Sequence, residues 1–173
     1  MKYAILLSLL LLPACTSAAT PSAPASAARL TVTSTAFADG GTIPQKYTCQ
    51  GDGISPELKW GGAPASTASY ALILDDPDAP NGTFTHWVAF DLPANQTEVP
   101  EGAPPAGKEG KNSAGRTGYV GPCPPSGTHR YIFTIYALDI PSLKLESPSR
   151  AQVLDAMAGH ILASGQLTGR YGK

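Results

Sequence analysis

The chain has 173 residues, a formal net charge of −1 and a charged fraction of only 14%. This length is enough for one domain with a hydrophobic core. The near-zero charge excludes the strong basic field of a nucleic-acid-binding protein, and the basic residues Lys108, Lys111 and Arg116 are too few for such a footprint. Glycine and proline are abundant, at 18 and 17 residues, which favours many turns and short strands over a helical bundle.

The first 14 residues have the layout of a signal peptide. Lys2 supplies the positive charge, and residues 4–12 form an apolar run that is too short to span a bilayer. The segment LPAC that follows resembles a bacterial lipobox and ends at Cys15, which predicts lipidation of this cysteine and a membrane anchor. Thr16 rather than aspartate comes next, and this favours the outer membrane, with the protein facing the periplasm.

A flexible tether is predicted between the anchor and the folded domain. Residues 15–28 are rich in alanine, serine and proline, a composition that does not build a packed core. The domain is therefore expected to span residues 29–173. An ordinary secretory signal cut near Ala18 or Ala19 is the alternative to lipidation.

Apolar and alternating stretches predict five strands between residues 30 and 138. They are residues 30–37, 58–60, 69–74, 84–92 and 130–138. The stretch 69–74 is apolar on both faces, so we expect it at the centre of a sheet. Residues 43–49 are predicted to be extended, and residues 93–118 to form one long loop.

One helix is predicted near the C-terminus, at residues 148–162, with Ser147 as its N-cap and Gly165 as its stop. Residues 167–171 are expected to add a last strand. Several short strands, tight turns and a late helix predict a mainly β fold, an antiparallel β-sandwich of Greek-key type with a few peripheral helices.

Two segments concentrate polar side chains on backbone that proline and glycine make rigid. One is DDPDAP at residues 75–80, followed by His86, and the other is PPSGTHRY at residues 124–131. Each also has a purely structural interpretation. Aspartate before proline is a common turn former, and a histidine on a core strand is often a satisfied buried residue.

Strand alternation separates the polar residues of the second segment. His129 and Tyr131 are two positions apart and share a face, whereas Arg130 points to the other face. We therefore expect His129 to line a cavity, with Tyr131 either beside it or in the core. Arg130 is expected to pair with Asp76 or Asp78 as a structural partner.

Two cysteines remain once Cys15 is assigned to the lipid anchor. Cys49 and Cys123 would form a disulfide in an oxidising compartment. Two free cysteines buried as small apolar residues are the alternative. The sequence does not decide between them, because it does not supply the distance between their Cα atoms.

Together these motifs resemble the phosphatidylethanolamine-binding protein family, and in particular its bacterial branch, the Raf-kinase-inhibitor-like proteins. The resemblance rests on DPDAP, on the downstream His-Trp pair and on GPCPPSGTHRY, and it covers about residues 30–171. It implies a β-sandwich with a small pocket for phosphate-like groups. These include phosphoethanolamine headgroups and, in some members, phosphorylated peptides.

The resemblance also assigns pocket residues position by position. The matched positions are two carboxylates, three prolines, two histidines and one tyrosine: Asp76, Asp78, Pro80, His86, Pro124, Pro125, His129 and Tyr131. Cys123 stands where many relatives have glycine. The spacer at residues 126–128 is one residue shorter than in the eukaryotic branch, which implies a pocket of different shape.

Binding an anion beside carboxylates requires a compensating cation. An aspartate next to His86 or His129 is expected to raise the pKa of that histidine. The imidazolium would then donate a charge-assisted hydrogen bond to a phosphate oxygen. Anion binding should weaken as the pH rises through the raised pKa.

We therefore predict a non-enzymatic envelope protein that binds a phosphate-bearing or small anionic ligand, without a metal or cofactor. The alternative is an inhibitor of a periplasmic or extracellular serine protease that acts through the loop at residues 100–118. A hydrolase is disfavoured because the chain has no Gly-x-Ser-x-Gly elbow. The expected partners are the ligand, the membrane through the lipid anchor, a protease under the alternative, and a second copy of the chain in a homodimer.

Overall fold

The computed structural model describes residues 28–172, so the predicted signal peptide, Cys15 and nearly all of the tether lie outside it. Within that range nine strands, the helix α1 (Arg150–Met157) and a 3-10 turn (Gln45–Tyr47) form the regular structure. The strands are β1 (Ala28–Arg29), β2 (Thr31–Thr33), β3 (Leu58–Gly61), β4 (Ser69–Asp76), β5 (Phe84–Pro93), β6 (Glu98–Val99), β7 (Lys108–Glu109), β8 (Thr128–Leu138) and β9 (Ile161–Gly172).

The strands form two sheets that share one core. The larger sheet has the order β1-β9-β8-β4-β5-β7 and the smaller sheet the order β2-β3-β6. Pairings between these strands are antiparallel, except that β1 runs parallel to β9. The core takes Val32, Leu58 and Trp60 from the smaller sheet and Leu72 and Phe133 from the larger one. The predicted mainly β sandwich is confirmed.

Strand β4 lies inside the larger sheet, as its continuous apolar run predicts. Leu72 and Leu74 belong to the core between the sheets, whereas Ala71 and Ile73 belong to a second cluster that includes Met157 of α1. Both faces of β4 are therefore covered, which explains why it lacks a polar face. Burying one such leucine or isoleucine side chain stabilises the fold by about 1.5–3 kcal/mol.

Helix α1 is shorter than the predicted residues 148–162. Its N-cap is Ser149 rather than Ser147: the Gln152 amide donates to Ser149 Oγ at 3.4 Å, and the Ser149 amide donates to Gln152 Oε1 at 2.9 Å. This capping box satisfies donors that the first helical turn leaves free. Ser147 lies before the helix with a left-handed φ of 46°, and Gly159, with a φ of 83°, follows its end.

The last strand is longer than residues 167–171 and contains Gly165, which the sequence predicts as a helix stop. A side chain at Gly165 would collide with the backbone of Leu30, and one at Gly169 would collide with the Ile43 side chain. These glycines allow the N-terminal segment to approach β9 closely. They serve packing within a strand, so the prediction of a stop is wrong.

The predicted strand at residues 30–37 is divided between the two sheets. Ala28 pairs with Ala163 in the larger sheet, whereas β2 pairs with β3 in the smaller one. Leu30 is buried at the crossing, and its amide donates to the Ser164 carbonyl at 2.9 Å. The domain therefore includes Ala28, which the composition assigns to the tether.

Two stretches differ locally from their predicted conformation. Residues 43–49 are not fully extended, because the amide of Tyr47 donates to the Pro44 carbonyl at 3.0 Å and closes the 3-10 turn. Residues 93–118, predicted as loop, contain the short strands β6 and β7. Within residues 28–172 no helix has the length and apolar character needed to cross a membrane.

Candidate functional site

Three segments meet at one end of the larger sheet. Strand β4 ends at Asp76, and β5 begins opposite it at Phe84. Strand β8 is antiparallel to β4, so its first residues lie beside Asp76. The Val120 amide donates to the His86 carbonyl at 3.0 Å, which brings the segment before β8 to the same place.

These segments enclose a cavity of about 170 Å³. Its walls are formed by Asp76, Ala79, Pro80, Phe84, His86, Val120, Gly121, Cys123, Pro125 and His129. The predicted residues among them are Asp76, Pro80, His86, Pro125 and His129. The prediction omits Phe84, although alternation along β5 puts it on the same face as His86. Asp78, Pro124 and Tyr131 do not line the cavity.

His129 and Asp76 form a buried pair in the cavity wall. His129 Nδ1 lies 2.7 Å from Asp76 Oδ2, and the two residues are only 8% and 3% exposed. The other carboxylate oxygen accepts from the Asp78 amide at 2.9 Å. An ionised carboxylate only accepts hydrogen bonds, so His129 carries a proton on Nδ1. Within residues 28–172 its Nε2 has no hydrogen-bond partner.

His86 is oriented by the backbone. Its Nδ1 lies 2.7 Å from the Val120 carbonyl oxygen, which can only accept, so the proton lies on Nδ1. Burial lowers the pKa of His86, and the opposing effects of the Val120 hydrogen bond and the charges of Asp76 and Asp75 are smaller. The nearby aspartates raise this pKa, as expected, but desolvation outweighs them, so no net rise is found for His86.

Asp78 is bound by Arg130 at the edge of the site. Its carboxylate accepts from Arg130 Nη2 at 2.7 Å, from Arg130 Nε at 2.9 Å and from the Arg130 amide at 2.9 Å. These hydrogen bonds hold the pKa of Asp78 well below its usual range. The predicted structural role of Arg130 is confirmed, with Asp78 as its partner. The same contacts leave Asp78 little capacity to bind a ligand.

Tyr131 lies behind the cavity. It shares a face with His129, as alternation predicts, but it is fully buried and packs edge-on against the His86 ring at 5.2 Å between centroids. Its hydroxyl interacts with the Cys123 backbone and the Asp76 carboxylate, in both cases short of normal hydrogen-bond geometry. Burial and the Asp76 charge raise its pKa, so the phenol remains neutral. Tyr131 supports His86 from the core.

A search with models of known families identifies the chain. The model described as phosphatidylethanolamine-binding protein matches residues 33–172. The chain belongs to the phosphatidylethanolamine-binding protein family. The resemblance based on the sequence motifs is thus confirmed. The matched range contains every cavity residue, whereas Cys15 lies outside it.

Relatives and solved structures agree with this family. A UPF0098 protein of Methanothermobacter thermautotrophicus is 50% identical over 143 residues, which cover 79% of this chain and 94% of the relative. The crystal structure of a phosphatidylethanolamine-binding protein homolog from Chlamydia trachomatis superposes with a TM-score of 0.81 and 42% identity, covering 84% of this chain and 98% of the other. YbcL of E. coli gives a TM-score of 0.78 and 30% identity, covering 86% and 99%.

In this member of the phosphatidylethanolamine-binding protein family a disulfide fixes one wall of the cavity. Cys49 and Cys123 are bonded, with their Cα atoms 5.4 Å apart and a sequence separation of 74. Of the two alternatives from the sequence, the disulfide is the one found. A Cβ at Gly121 would lie 2.9 Å from the Tyr47 carbonyl oxygen and 3.0 Å from Thr48 Cα, so glycine permits this close packing.

Asn112 supports the site from outside the predicted set. It is buried, its Oδ1 accepts from two backbone amides of the following turn, and its Nδ2 donates to the Gly118 carbonyl at 3.0 Å. Next to it, Ser113 exchanges two hydrogen bonds with Thr85, the neighbour of His86. Asparagine and serine between glycines indicate a turn with side-chain hydrogen bonds, and this signal could have identified the position.

Proposed function

We propose that this protein is a non-enzymatic binding protein that holds a small ligand by a phosphate or similar anionic group. The observation that carries the proposal is the buried pair of His129 and Asp76. The carboxylate fixes Nδ1 of the ring, while Nε2, in a cavity-lining residue, has no partner in the described part of the chain. A protonated His129 therefore offers the cavity one charge-assisted donor.

The carboxylate of Asp76 does not prevent anion binding under this proposal. Both of its oxygens accept hydrogen bonds, one from His129 and one from the Asp78 amide. With His129 protonated, the pair carries no net charge. Gly121 also lines the cavity, and its amide makes no hydrogen bond with the described chain. It is a neutral donor that an anion can use.

The size of the cavity limits the ligand. Sites for drug-sized molecules measure roughly 300–1,000 Å³, whereas this cavity measures about 170 Å³. It suits a single phosphate or a headgroup such as phosphoethanolamine, with any larger part of the ligand outside. The sulfur of Cys123 is held in the disulfide and is not available as a thiolate nucleophile, which supports a binding role over a catalytic one.

The proposal includes a location in the bacterial envelope, facing the periplasm, through a lipid on Cys15. A disulfide in the domain supports an oxidising compartment. Mass spectrometry of the mature N-terminus tests this part. A lipidated Cys15 is the expected result, and a free N-terminus near Ala18 or Ala19 would contradict it.

The alternative function, protease inhibition through residues 100–118, draws less support. An inhibitory loop must be extended and accessible to a protease. Here the amides of Gly110 and Lys111 donate to the Val88 and Pro148 carbonyls at 3.0 Å and 2.7 Å, and Asn112 closes the next turn. These contacts hold the middle of the segment against the domain.

Calorimetric titration with phosphate and phosphoethanolamine tests the proposed function. The unaltered protein should bind at least one of them, and His129→Ala should abolish binding. His160→Ala is the matched control, since His160 forms a similar pair with Asp139 on the surface, and it should bind normally. Binding that survives His129→Ala, or robust turnover of a phosphoester by the pure protein, would contradict the proposal.

A further inference from the structure

The two cavity histidines differ in what they offer a ligand. His129 donates Nδ1–H to Asp76 at 2.7 Å, and His86 donates Nδ1–H to the Val120 carbonyl at 2.7 Å. In both rings Nε2 is the remaining nitrogen, and neither has a partner within the described residues. A neutral ring with Nδ1–H has a lone pair on Nε2, so it accepts, whereas a protonated ring donates.

The surroundings of His86 keep its ring neutral. Phe84 packs on it at 4.8 Å and Tyr131 at 5.2 Å between ring centroids. The charged or titratable groups that act on it are Asp75, Asp76 and His129. The two aspartates raise its pKa and His129 lowers it, but burial has the largest effect and the pKa falls below its ordinary value.

His129 has a different environment, because its Nδ1 partner is a carboxylate rather than a carbonyl. An ion pair with Asp76 compensates a proton on Nε2, whereas the Val120 carbonyl supplies no full charge for His86. With Nε2 protonated, as the proposed function requires, His129 is a donor, and the cavity then combines an acceptor on His86 with a donor on His129. A bound group that satisfies both must have one oxygen bearing a hydrogen and one oxygen without.

We propose that the cavity selects oxyanions that retain a proton, such as hydrogen phosphate or a phosphomonoester monoanion, over anions of similar shape that carry none, such as sulfate. This inference rests on the proposed function. The P–OH group donates to His86 Nε2, and an unprotonated oxygen accepts from His129 Nε2–H. Sulfate has no proton at neutral pH, so one of its oxygens would face the His86 lone pair.

Competition between phosphate and sulfate at neutral pH and equal ionic strength tests the inference. The unaltered protein should bind phosphate at least about tenfold more tightly, because sulfate leaves a buried acceptor without a donor. His86→Phe keeps an aromatic ring between Phe84 and Tyr131 but removes the acceptor, so the preference should fall to about twofold or less. His129→Ala should abolish the binding of both anions.

The possible outcomes distinguish the proposed selectivity from the proposed function. Equal binding of phosphate and sulfate would overturn the selectivity and leave the proposed function standing. Failure of both anions to bind would overturn the selectivity, and failure of phosphoethanolamine to bind as well would overturn the proposed function. Imidazole ¹⁵N shifts of the unaltered protein give a test that does not depend on the His86→Phe variant folding. A proton on His86 Nε2 at neutral pH would overturn the inference, and a proton on Nδ1 alone is the expected result.

Discussion

Two histidine–aspartate pairs of nearly the same geometry differ in burial. His129 and Asp76 are 2.7 Å apart with side chains 10% and 5% exposed, whereas His160 and Asp139 are 2.8 Å apart with side chains 41% and 43% exposed. In both, Nδ1 contacts a carboxylate oxygen. Despite this similarity, it is the first pair that lines the cavity of about 170 Å³ described above.

The two pairs differ in their access to water. Water competes for every hydrogen bond of the exposed pair, and such a pair contributes roughly 0–1 kcal/mol to stability. Little water reaches the buried pair, so the loss of one partner leaves the other unsatisfied. Burial also fixes the ring, which leaves Nε2 in one position before a ligand arrives. The contact is the same, but only the buried pair provides a preorganised donor.

The largest expected effect concerns the disulfide, which fixes one wall of the cavity that the buried pair lines. Replacing Cys49 and Cys123 by alanine should lower the free energy of unfolding by about 4 kcal/mol, since the loop closed by the bond is long. Anion affinity should fall too, while the NMR signals of His160 should stay unchanged. Urea denaturation measures the first effect. A loss below about 1 kcal/mol would contradict the expected constraint.

The second prediction separates the two pairs directly. Asp76→Ala removes the acceptor of the His129 ring and of the Asp78 amide, and should cost about 3 kcal/mol of stability. Asp139→Ala, its control on the surface, should cost about 0–1 kcal/mol. Equal losses, measured by urea denaturation at neutral pH, would show that burial does not distinguish the pairs.

The third prediction uses pH. The pKa of His86 is lowered in the folded protein. Above about pH 6.5 the ring is neutral in both the folded and the unfolded chain, so its protonation costs no stability there. As the pH falls below that value, the unfolded chain gains the proton first and stability declines, by at most about 1.4 kcal/mol per pH unit from this ring. His86→Phe should remove this part of the slope, whereas His160→Ala should keep it.

The smallest expected effect is at Arg130. Arg130→Gln breaks the ion pair with Asp78 at the edge of the site, where the two side chains are 47% and 31% exposed. Stability should fall by less than in Asp76→Ala, because water competes for both exposed partners, and phosphate affinity should change by less than about threefold because solvent screens the freed carboxylate. A loss of phosphate affinity as large as that of His129→Ala would contradict this prediction and would place the Arg130–Asp78 pair inside the binding site.

Periodicity gave the parts of the site that depend on strand direction. Alternation along β8 correctly separated Arg130 from His129 and Tyr131, because side chains on a strand must alternate. Alternation does not show how deeply a side chain is buried. Tyr131 shares the face of His129 but lies fully buried beneath the cavity, since the sandwich core begins within two residues of the sheet end.

The predictions about the fold were wrong where one residue type is suited to two structural roles. Ser147 and Ser149 both suit an N-cap, and the choice depends on the left-handed backbone at Ser147, which the sequence does not reveal. Gly165 suits a helix stop as well as a close approach, and here the approach of Leu30 decides. Such choices are made by tertiary contacts between residues that are distant in sequence.

The sheet also fixes where the preceding chain joins the domain relative to the cavity. Ala28 pairs with Ala163 near the beginning of β9, whereas His129 pairs with Tyr171, eight residues farther along the same strand. At about 3.3 Å per residue, the two points are roughly 26 Å apart. The cavity therefore lies at the end of the sheet away from the entry of the chain, so an anchor before Ala28 would leave it open towards the opposite side.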